Sequence, residues 1–146
     1  MKIALGSDHA GFDLKERVKG YIKELGLDFD DVGAYSPDSV DYPDFAEKVG
    51  VQIRDGKAGR GILMCGTGIG VCMAANKIQG IRAAVVCDAE MARLSRQHND
   101  ANVLCLAGRF MDIELAKILV KVWLETPFDG GRHQRRVEKI AQLENP

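Results

Sequence analysis

Five short apolar stretches recur along the chain, separated by longer segments with helical periodicity. Each stretch is too short for a typical helix and is bounded by turn residues, which favours a β-strand. This alternation predicts βαβ units, in which parallel strands form a sheet covered on both faces by helices. The predicted strands are Lys2–Ser7, Asp28–Val32, Gly61–Met64, Ala83–Cys87 and Val103–Ala107.

The intervening segments carry apolar residues three and four positions apart, which is the spacing of one helix face. Gly26 follows the first of them, and Pro127 follows the fifth, as is typical of helix ends. The predicted helices are Phe12–Leu25, Pro43–Ile53, Val71–Lys77, Ala89–Gln97, Ile113–Glu125 and Arg132–Leu143. No strand follows the last helix, so we expect it to pack on another subunit.

Length and composition are consistent with a single domain covering residues 1–146. The hydrophobic fraction of 46% is enough to bury a core. A net charge of -1 disfavours binding to nucleic acid or to an anionic membrane. No apolar run reaches membrane-spanning length, and the N-terminus lacks a signal-peptide core. We therefore expect a cytoplasmic protein with a small-molecule ligand.

The cysteines are expected to be reduced thiols. Cys65, Cys72, Cys87 and Cys105 lie in or beside predicted strands and helices, and none forms a C-x-x-C pair. This arrangement disfavours both a zinc site and a disulfide framework. We expect no metal.

The stretch Ile62–Gly70 carries the strongest sign of chemistry, because a predicted strand runs directly into a glycine-rich turn. Glycines allow consecutive N–H groups to converge on a phosphate or a developing oxyanion. Cys65 would stand at the edge of these donors. Taken alone, this cysteine is equally compatible with a small buried hydrophobe that ends a core strand.

Two glycine-bounded loops are expected at the same edge of the sheet. In open parallel sheets, ligands bind beyond the carboxyl ends of the strands. The loops Gly6–Gly11 and Cys65–Gly70 follow the first and third strands. The first loop contributes Asp8 and His9, although Asp8 also suits a helix N-cap and His9 a solvated first turn.

Five short motifs are spread over nearly the whole length of the chain: Gly6–Gly11, Asp41–Pro43, Cys65–Gly70, Ser95–Asp100 and Gly130–Arg136. Together they resemble ribose-5-phosphate isomerase type B, in the family that includes galactose-6-phosphate isomerase subunits. The resemblance implies a Rossmann-like three-layer α/β sandwich with a five-stranded parallel sheet and an extra C-terminal helix. It also implies interconversion of an aldose phosphate and a ketose phosphate without metal or organic cofactor.

The resemblance assigns catalytic roles to three side chains. Cys65 matches the base that moves a proton between the first two sugar carbons through a cis-enediolate, and Thr67 matches a hydrogen-bonding partner of the reacting oxygens. His98 matches the residue that opens the furanose ring. Because a free thiol has a pKa of about 8.5, the turn and the next helix N-terminus must stabilise the thiolate. The N–H groups expected to stabilise the enediolate belong to Gly66, Gly68, Ile69 and Gly70.

The resemblance also implies the residues that bind substrate. Asp8 would assist ring opening, Asn99 would hold sugar hydroxyls, and Tyr42 would wall the sugar site. The phosphate contacts would come from His9, Arg109, Arg132 and Arg136. Without the motif context, His98 suits a polar helix terminus, and the arginine pair on the last helix suits a solvated basic face.

Rival functions are a dinucleotide-binding module, a sugar-phosphate sensor without catalysis, and an isomerase of a six-carbon sugar phosphate. The first would use the glycines of the turn with Asp88 after the next strand, but the spacing is G-x-G-x-G and follows the third strand. A sensor would need no Cys65. The length of the sugar is not evident from the residues.

The predicted topology separates the two main catalytic residues. Cys65 ends the third strand, whereas His98 closes the helix that leads into the start of the fifth, about 16 Å away. We therefore expect a homodimer with shared active sites, or a tetramer, in which His98 reaches Cys65 of a neighbouring subunit.

Overall fold

The computed structural model describes residues 1–145 as one five-stranded parallel sheet with helices on both faces. The strands are β1 (Lys2–Ser7), β2 (Asp28–Asp31), β3 (Arg60–Cys65), β4 (Ala83–Val85) and β5 (Val103–Ala107). The helices are α1 (Phe12–Glu24), α2 (Tyr42–Arg54), α3 (Ile69–Ala75), α4 (Ala89–Gln97), α5 (Ile113–Glu125) and α6 (Arg132–Gln142). The strand order is β2-β1-β3-β5-β4, so β3 lies at the centre.

Two hydrophobic cores lie on opposite faces of this sheet. Alternate residues of a strand point to opposite faces, so Ile62 and Met64 pack with α1, α4 and α5, whereas Leu63 and Cys65 pack with α2 and α3. Both faces of β3 are therefore buried, which is why its sequence reads as a continuous apolar run. The expected three-layer α/β architecture is confirmed.

Most element boundaries agree with the sequence prediction within one residue, and three differ by two residues: both ends of α3, which ends at Ala75 rather than Lys77, and the end of β4. Helix α3 begins at Ile69 rather than Val71, because Gly68 has a φ of 78° and ends the preceding turn. Strand β4 stops at Val85 rather than Cys87. The chain turns there toward α4, whose N-cap Asp88 accepts a 2.8 Å hydrogen bond from the Met91 N–H.

Helix α6 has few apolar contacts with the rest of the chain. His133 and Val137 are its buried residues, whereas Ile140 is 44% and Leu143 76% exposed. Its packing on another subunit stays a prediction. Within residues 1–145, no helix combines the length and hydropathy that a membrane span requires.

Candidate active site

A cavity of about 520 Å³ opens beyond the carboxyl ends of β1 and β3. Its walls come from the loop after β1, the glycine turn after β3, and the loop after β5. Nine of the expected site residues line it: Asp8, His9, Tyr42, Cys65, Gly66, Thr67, Ile69, Gly70 and Arg109. Gly68 lies beneath the turn, where a Cβ would stand 3.1 Å from the Leu106 carbonyl carbon.

Cys65 is the last residue of β3 and is 4% exposed. Its carbonyl accepts a 2.8 Å hydrogen bond from the Gly108 N–H, and the next carbonyl, of Gly66, accepts one of 3.0 Å from the Arg109 N–H. These bonds continue the β3–β5 ladder beyond the strands. The thiol is thereby held on a rigid strand end rather than on a mobile loop, which suits a group that must be positioned accurately.

The glycine turn brings the first turn of α3 against the cavity. Tyr42 packs on this turn so closely that a Cβ at Gly70 would stand 2.7 Å from the ring carbon Cζ. The Thr67 hydroxyl oxygen accepts a 3.1 Å hydrogen bond from the Ile69 N–H. The Ile69 donor is therefore used inside the turn, and the hydroxyl proton of Thr67 is left for another acceptor.

The loop after β1 is held in place by both of its polar side chains. Asp8 is buried, and its Oδ1 accepts a 3.0 Å hydrogen bond from the Gly11 N–H, which closes the turn before α1. His9 accepts a 3.2 Å hydrogen bond at Nδ1 from the Val40 N–H. This contact assigns the neutral imidazole proton to Nε2, so His9 offers a donor on its other side.

The structure contains a perturbed thiol that sequence reasoning did not single out. A hydrogen bond from Cys105 is the main cause that lowers the pKa of Cys72 to about 7, with further bonds from the Val85 backbone and Asn76. Burial raises the pKa of Cys105 well above its ordinary value. All four cysteines are free thiols, as expected.

Met73 also lines the cavity and was not identified from the sequence. It lies one helical turn after Ile69 on α3 and is 65% exposed. The i, i+4 relationship to Ile69 was the available signal, because residues at that spacing share a helix face.

Four expected site residues lie away from this cavity. His98 caps the C-terminus of α4, and Asn99 lines a second cavity of about 640 Å³ beside α6. Arg132 and Arg136 are exposed on α6.

The chain from His98 leads into the start of β5, where Val103 pairs with Gly61. Four residue steps along β3 separate Gly61 from Cys65, which is about 13 Å.

The imidazole of His98 stacks on that of His133. The ring centroids are 4.3 Å apart, and the ring planes differ by 11°. Burial lowers the pKa of His133, and the nearby charges of His98, Arg132 and Arg136 lower it further. The residues near His98 therefore form a second, basic cluster outside the Cys65 cavity.

The chain matches a family described as Ribose/Galactose Isomerase over residues 3–140. It is 47% identical over 143 residues to ribose-5-phosphate isomerase B of Escherichia coli (strain K12), which covers 98% of this chain and 96% of the relative.

Solved structures of similar proteins share the fold. Ribose-5-phosphate isomerase B of Clostridium thermocellum superposes with a TM-score of 0.98 at 49% identity, over 99% of this chain and 97% of that one. The structure of Mycoplasma genitalium ribose-5-phosphate isomerase B with bound ribulose-5-phosphate superposes with a TM-score of 0.94 at 43% identity, over 98% of this chain and 95% of that one. By sequence and by fold, the chain belongs to the ribose/galactose isomerase family and is an aldose–ketose isomerase.

Proposed function

We propose that the chain interconverts ribose 5-phosphate and ribulose 5-phosphate, a step of the pentose phosphate pathway. The observation that carries this proposal is the cavity at the carboxyl edge of the sheet, where a thiol, a hydroxyl and a guanidinium group meet. The names of the similar proteins support the choice of substrate. The reaction moves one proton between adjacent carbons, so acid–base groups suffice and no cofactor is required.

Cys65 acts as the base in this mechanism. As a thiolate it removes the proton from C2 of the open-chain aldose, and the electron pair forms the enediolate. A second proton moves from the C2 hydroxyl to the C1 oxygen of the enediolate, and the Cys65 thiol returns its proton to C1, which gives the ketose and regenerates the thiolate. The Thr67 hydroxyl donates to a reacting oxygen, and the Gly70 N–H in the first turn of α3 has no intrahelical partner and is able to stabilise the negative charge.

His98 opens the sugar ring from a second subunit. A five-carbon chain spans only about 6 Å, since each C–C bond is about 1.5 Å, whereas about 13 Å of strand separates the two regions in one chain. A single subunit would therefore not present both groups to one sugar. A symmetric dimer that places α6 and the end of α4 over the partner's cavity would form two such sites, each with Cys65 from one subunit and His98 from the other.

The phosphate would then be bound by residues of both subunits. In this arrangement the phosphate lies between Arg109 and His9 of one subunit and Arg132 and Arg136 of the other. Guanidinium groups suit this task because they form bidentate, charge-assisted hydrogen bonds with a dianion. Asn99 would hold the sugar hydroxyls beside His98.

Hydrogen exchange at C1 of ribulose 5-phosphate in D₂O tests the division of roles. This ketose has no free hydroxyl that could close a five-membered ring, so exchange needs the base but not ring opening. We expect Cys65→Ala to abolish exchange, and His98→Ala to retain it while converting little ribose 5-phosphate. Exchange at the wild-type rate in Cys65→Ala would contradict the role of Cys65.

A six-carbon sugar phosphate is the second candidate, because the family description includes galactose isomerases. The two substrate lengths differ by one hydroxymethylene group. The test is a coupled assay of the pure protein with ribose 5-phosphate, allose 6-phosphate and galactose 6-phosphate. We expect the highest kcat/KM with ribose 5-phosphate, and a higher value with either hexose phosphate would overturn the assignment.

A further inference from the structure

Three side chains at the amino edge of the sheet have the composition of a metal site. They are His98 at the end of α4, Asp129 in the loop before α6, and His133 in the first turn of α6. One ligand atom from each lies within 4.8 Å of the others. Among residues 1–145 this is the one such group of three histidine, cysteine or carboxylate side chains.

Backbone hydrogen bonds hold the three residues together. The Asp129 N–H donates to the Gln97 carbonyl at 3.1 Å, which ties the loop to the end of α4 beside His98. The His133 N–H donates to the Gly130 carbonyl at 3.0 Å. The rings of His98 and His133 are stacked, and because the nitrogen lone pairs of parallel rings lie in parallel planes, one ring must rotate before both can bind the same ion. The cluster is therefore a consequence of the fold and not of chance surface contacts.

The ligand atoms are available for an external partner. Among the hydrogen bonds of residues 1–145, none involves the imidazole nitrogens of His98 or His133 or the carboxylate of Asp129. Asp129 is exposed and is followed by two glycines with positive φ, so its carboxylate is able to shift. Tetrahedral coordination with bonds of about 2.0–2.1 Å separates the ligands by about 3.4 Å, so the ligand atoms must approach by up to about 1.4 Å in addition to the rotation of one ring.

We propose that His98, Asp129 and His133 form a binding site for a divalent transition-metal ion such as Zn²⁺. Two imidazoles and one carboxylate suit Zn²⁺ far better than Mg²⁺ or Ca²⁺, which prefer oxygen ligands. Three protein ligands leave the fourth position open to water. The guanidinium groups of Arg93, Arg132 and Arg136 also face the cluster and weaken binding of any cation, so the site favours ions that form strong bonds to nitrogen.

Metal binding at this site would inhibit the enzyme. This consequence rests on the proposed function, in which His98 transfers a proton during ring opening. An imidazole nitrogen that donates its lone pair to Zn²⁺ is unable to accept a proton. Bound metal would therefore inhibit conversion of the closed sugar, and a chelator that removes the metal would restore activity.

Histidine-detected ¹H–¹⁵N NMR of the wild-type protein tests the site, because the chain has only three histidines. We expect ZnSO₄ to shift the ring nitrogen signals of His98 and His133 and to leave those of His9 unchanged. The proposal would be overturned if no histidine signal moves at saturating Zn²⁺, or if only the signals of His9 shift. The measurement needs no variant, so it does not depend on the folding of a mutant.

A pair of variants adds a quantitative test with the same readout. Asp129→Asn removes the charged ligand and should raise the Zn²⁺ concentration for half-maximal shift by at least about tenfold, because loss of even an outer-shell partner costs ~10–100-fold. Asp38→Asn is the matched control, since Asp38 is also exposed and lies outside the cluster. An unchanged midpoint in Asp129→Asn would contradict the proposed ligand set.

An activity assay separates the metal site from the proposed function. We expect Zn²⁺ to inhibit conversion of ribose 5-phosphate, EDTA to restore it, and Asp129→Asn to need at least about tenfold more Zn²⁺ for the same inhibition. Imidazole shifts without inhibition would support the metal site and overturn the ring-opening role of His98.

Discussion

Arg109 lies directly across Gly66, the residue that follows the cavity cysteine. A Cβ at position 66 would stand 3.2 Å from the Nη1 atom of Arg109 and 3.3 Å from its Cδ. The Arg109 N–H also donates a 3.0 Å hydrogen bond to the Gly66 carbonyl. The glycine thus allows an arginine from the end of β5 to reach the cavity beside Cys65.

Replacement of Arg109 should weaken binding of the phosphorylated sugar. Arg109→Ala removes a charge-assisted partner of a dianion, so we expect KM to rise about tenfold or more, or ~1.5–3 kcal/mol. Arg109→Lys should raise KM less than Arg109→Ala, because lysine keeps the charge but lacks the planar guanidinium that forms two parallel hydrogen bonds. Steady-state kinetics with ribose 5-phosphate measures both. Unchanged KM in both variants would exclude Arg109 from substrate binding.

Replacement of the proposed base should affect turnover rather than folding. A serine hydroxyl is a far weaker acid than a thiol, so Cys65→Ser should bind substrate and lose kcat by ~10²–10⁴-fold. Isothermal titration calorimetry with ribose 5-phosphate measures substrate binding, and a coupled assay measures turnover. Cys72→Ser is the control, because its thiol belongs to α3 outside the cavity lining. A Cys65→Ser enzyme with more than about a tenth of the wild-type kcat would rule out proton transfer by this thiol.

The arginines of α6 should contribute to phosphate binding only if a partner subunit brings them to the cavity. Arg136→Ala should raise KM about tenfold. Arg135→Ala is the matched control, since it removes a neighbouring exposed guanidinium from the same helix. Equal KM values for wild type and both variants would indicate that α6 carries a solvated basic face.

A buried ion pair should dominate the pH dependence of stability. Lys15 is fully buried, and its Nζ atom lies 2.7 and 2.6 Å from the two carboxylate oxygens of Asp31. Burial alone would raise the pKa of Asp31, but hydrogen bonds from Lys15, Lys19 and the Gly33 N–H outweigh it and lower the pKa. We expect Asp31→Asn to reduce the free energy of unfolding at pH 7 by up to about 3–5 kcal/mol, because it leaves the buried Lys15 ammonium group with one carboxylate contact, to Glu16 at 3.1 Å.

The sign of the pH effect follows from the lowered pKa. A carboxylate with a lowered folded-state pKa stabilises the protein above its unfolded value, and this stability is lost as the pH falls through the folded value. The difference between wild type and Asp31→Asn should therefore shrink below about pH 4. Urea unfolding at several pH values measures it. Asp13→Asn, which breaks an exposed pair with Arg17, should change stability by less than about 1 kcal/mol, and an equal loss in both variants would refute the buried-pair explanation.

The fold was predictable because its signals are local. The apolar run before Cys65, the glycines after it and the periodic residues of the helices depend only on neighbours in sequence. The start of α3 was misplaced by two residues, because the left-handed Gly68 is compatible with either position. Boundaries of this kind depend on the backbone angles that packing selects.

The parts of the site that escaped prediction depend on contacts between distant segments. The thiol of Cys72 on α3 is perturbed by Cys105 on strand β5, and His98 meets His133 across 35 positions of sequence. Neither pair has a spacing rule that would reveal it. The resemblance supplied the roles of the separate residues, but only the fold shows which of them share one chain's cavity.

Mixed dimers of two inactive variants test the shared active site most directly. Cys65→Ala and His98→Ala proteins should each be impaired with ribose 5-phosphate. Refolded together, they should form mixed dimers in which one of two sites combines an intact Cys65 with an intact His98. Random pairing makes half of the dimers mixed, so activity should recover to about a quarter of the wild-type value. No recovery, with mixed dimers confirmed by native mass spectrometry, would contradict a site built from two subunits.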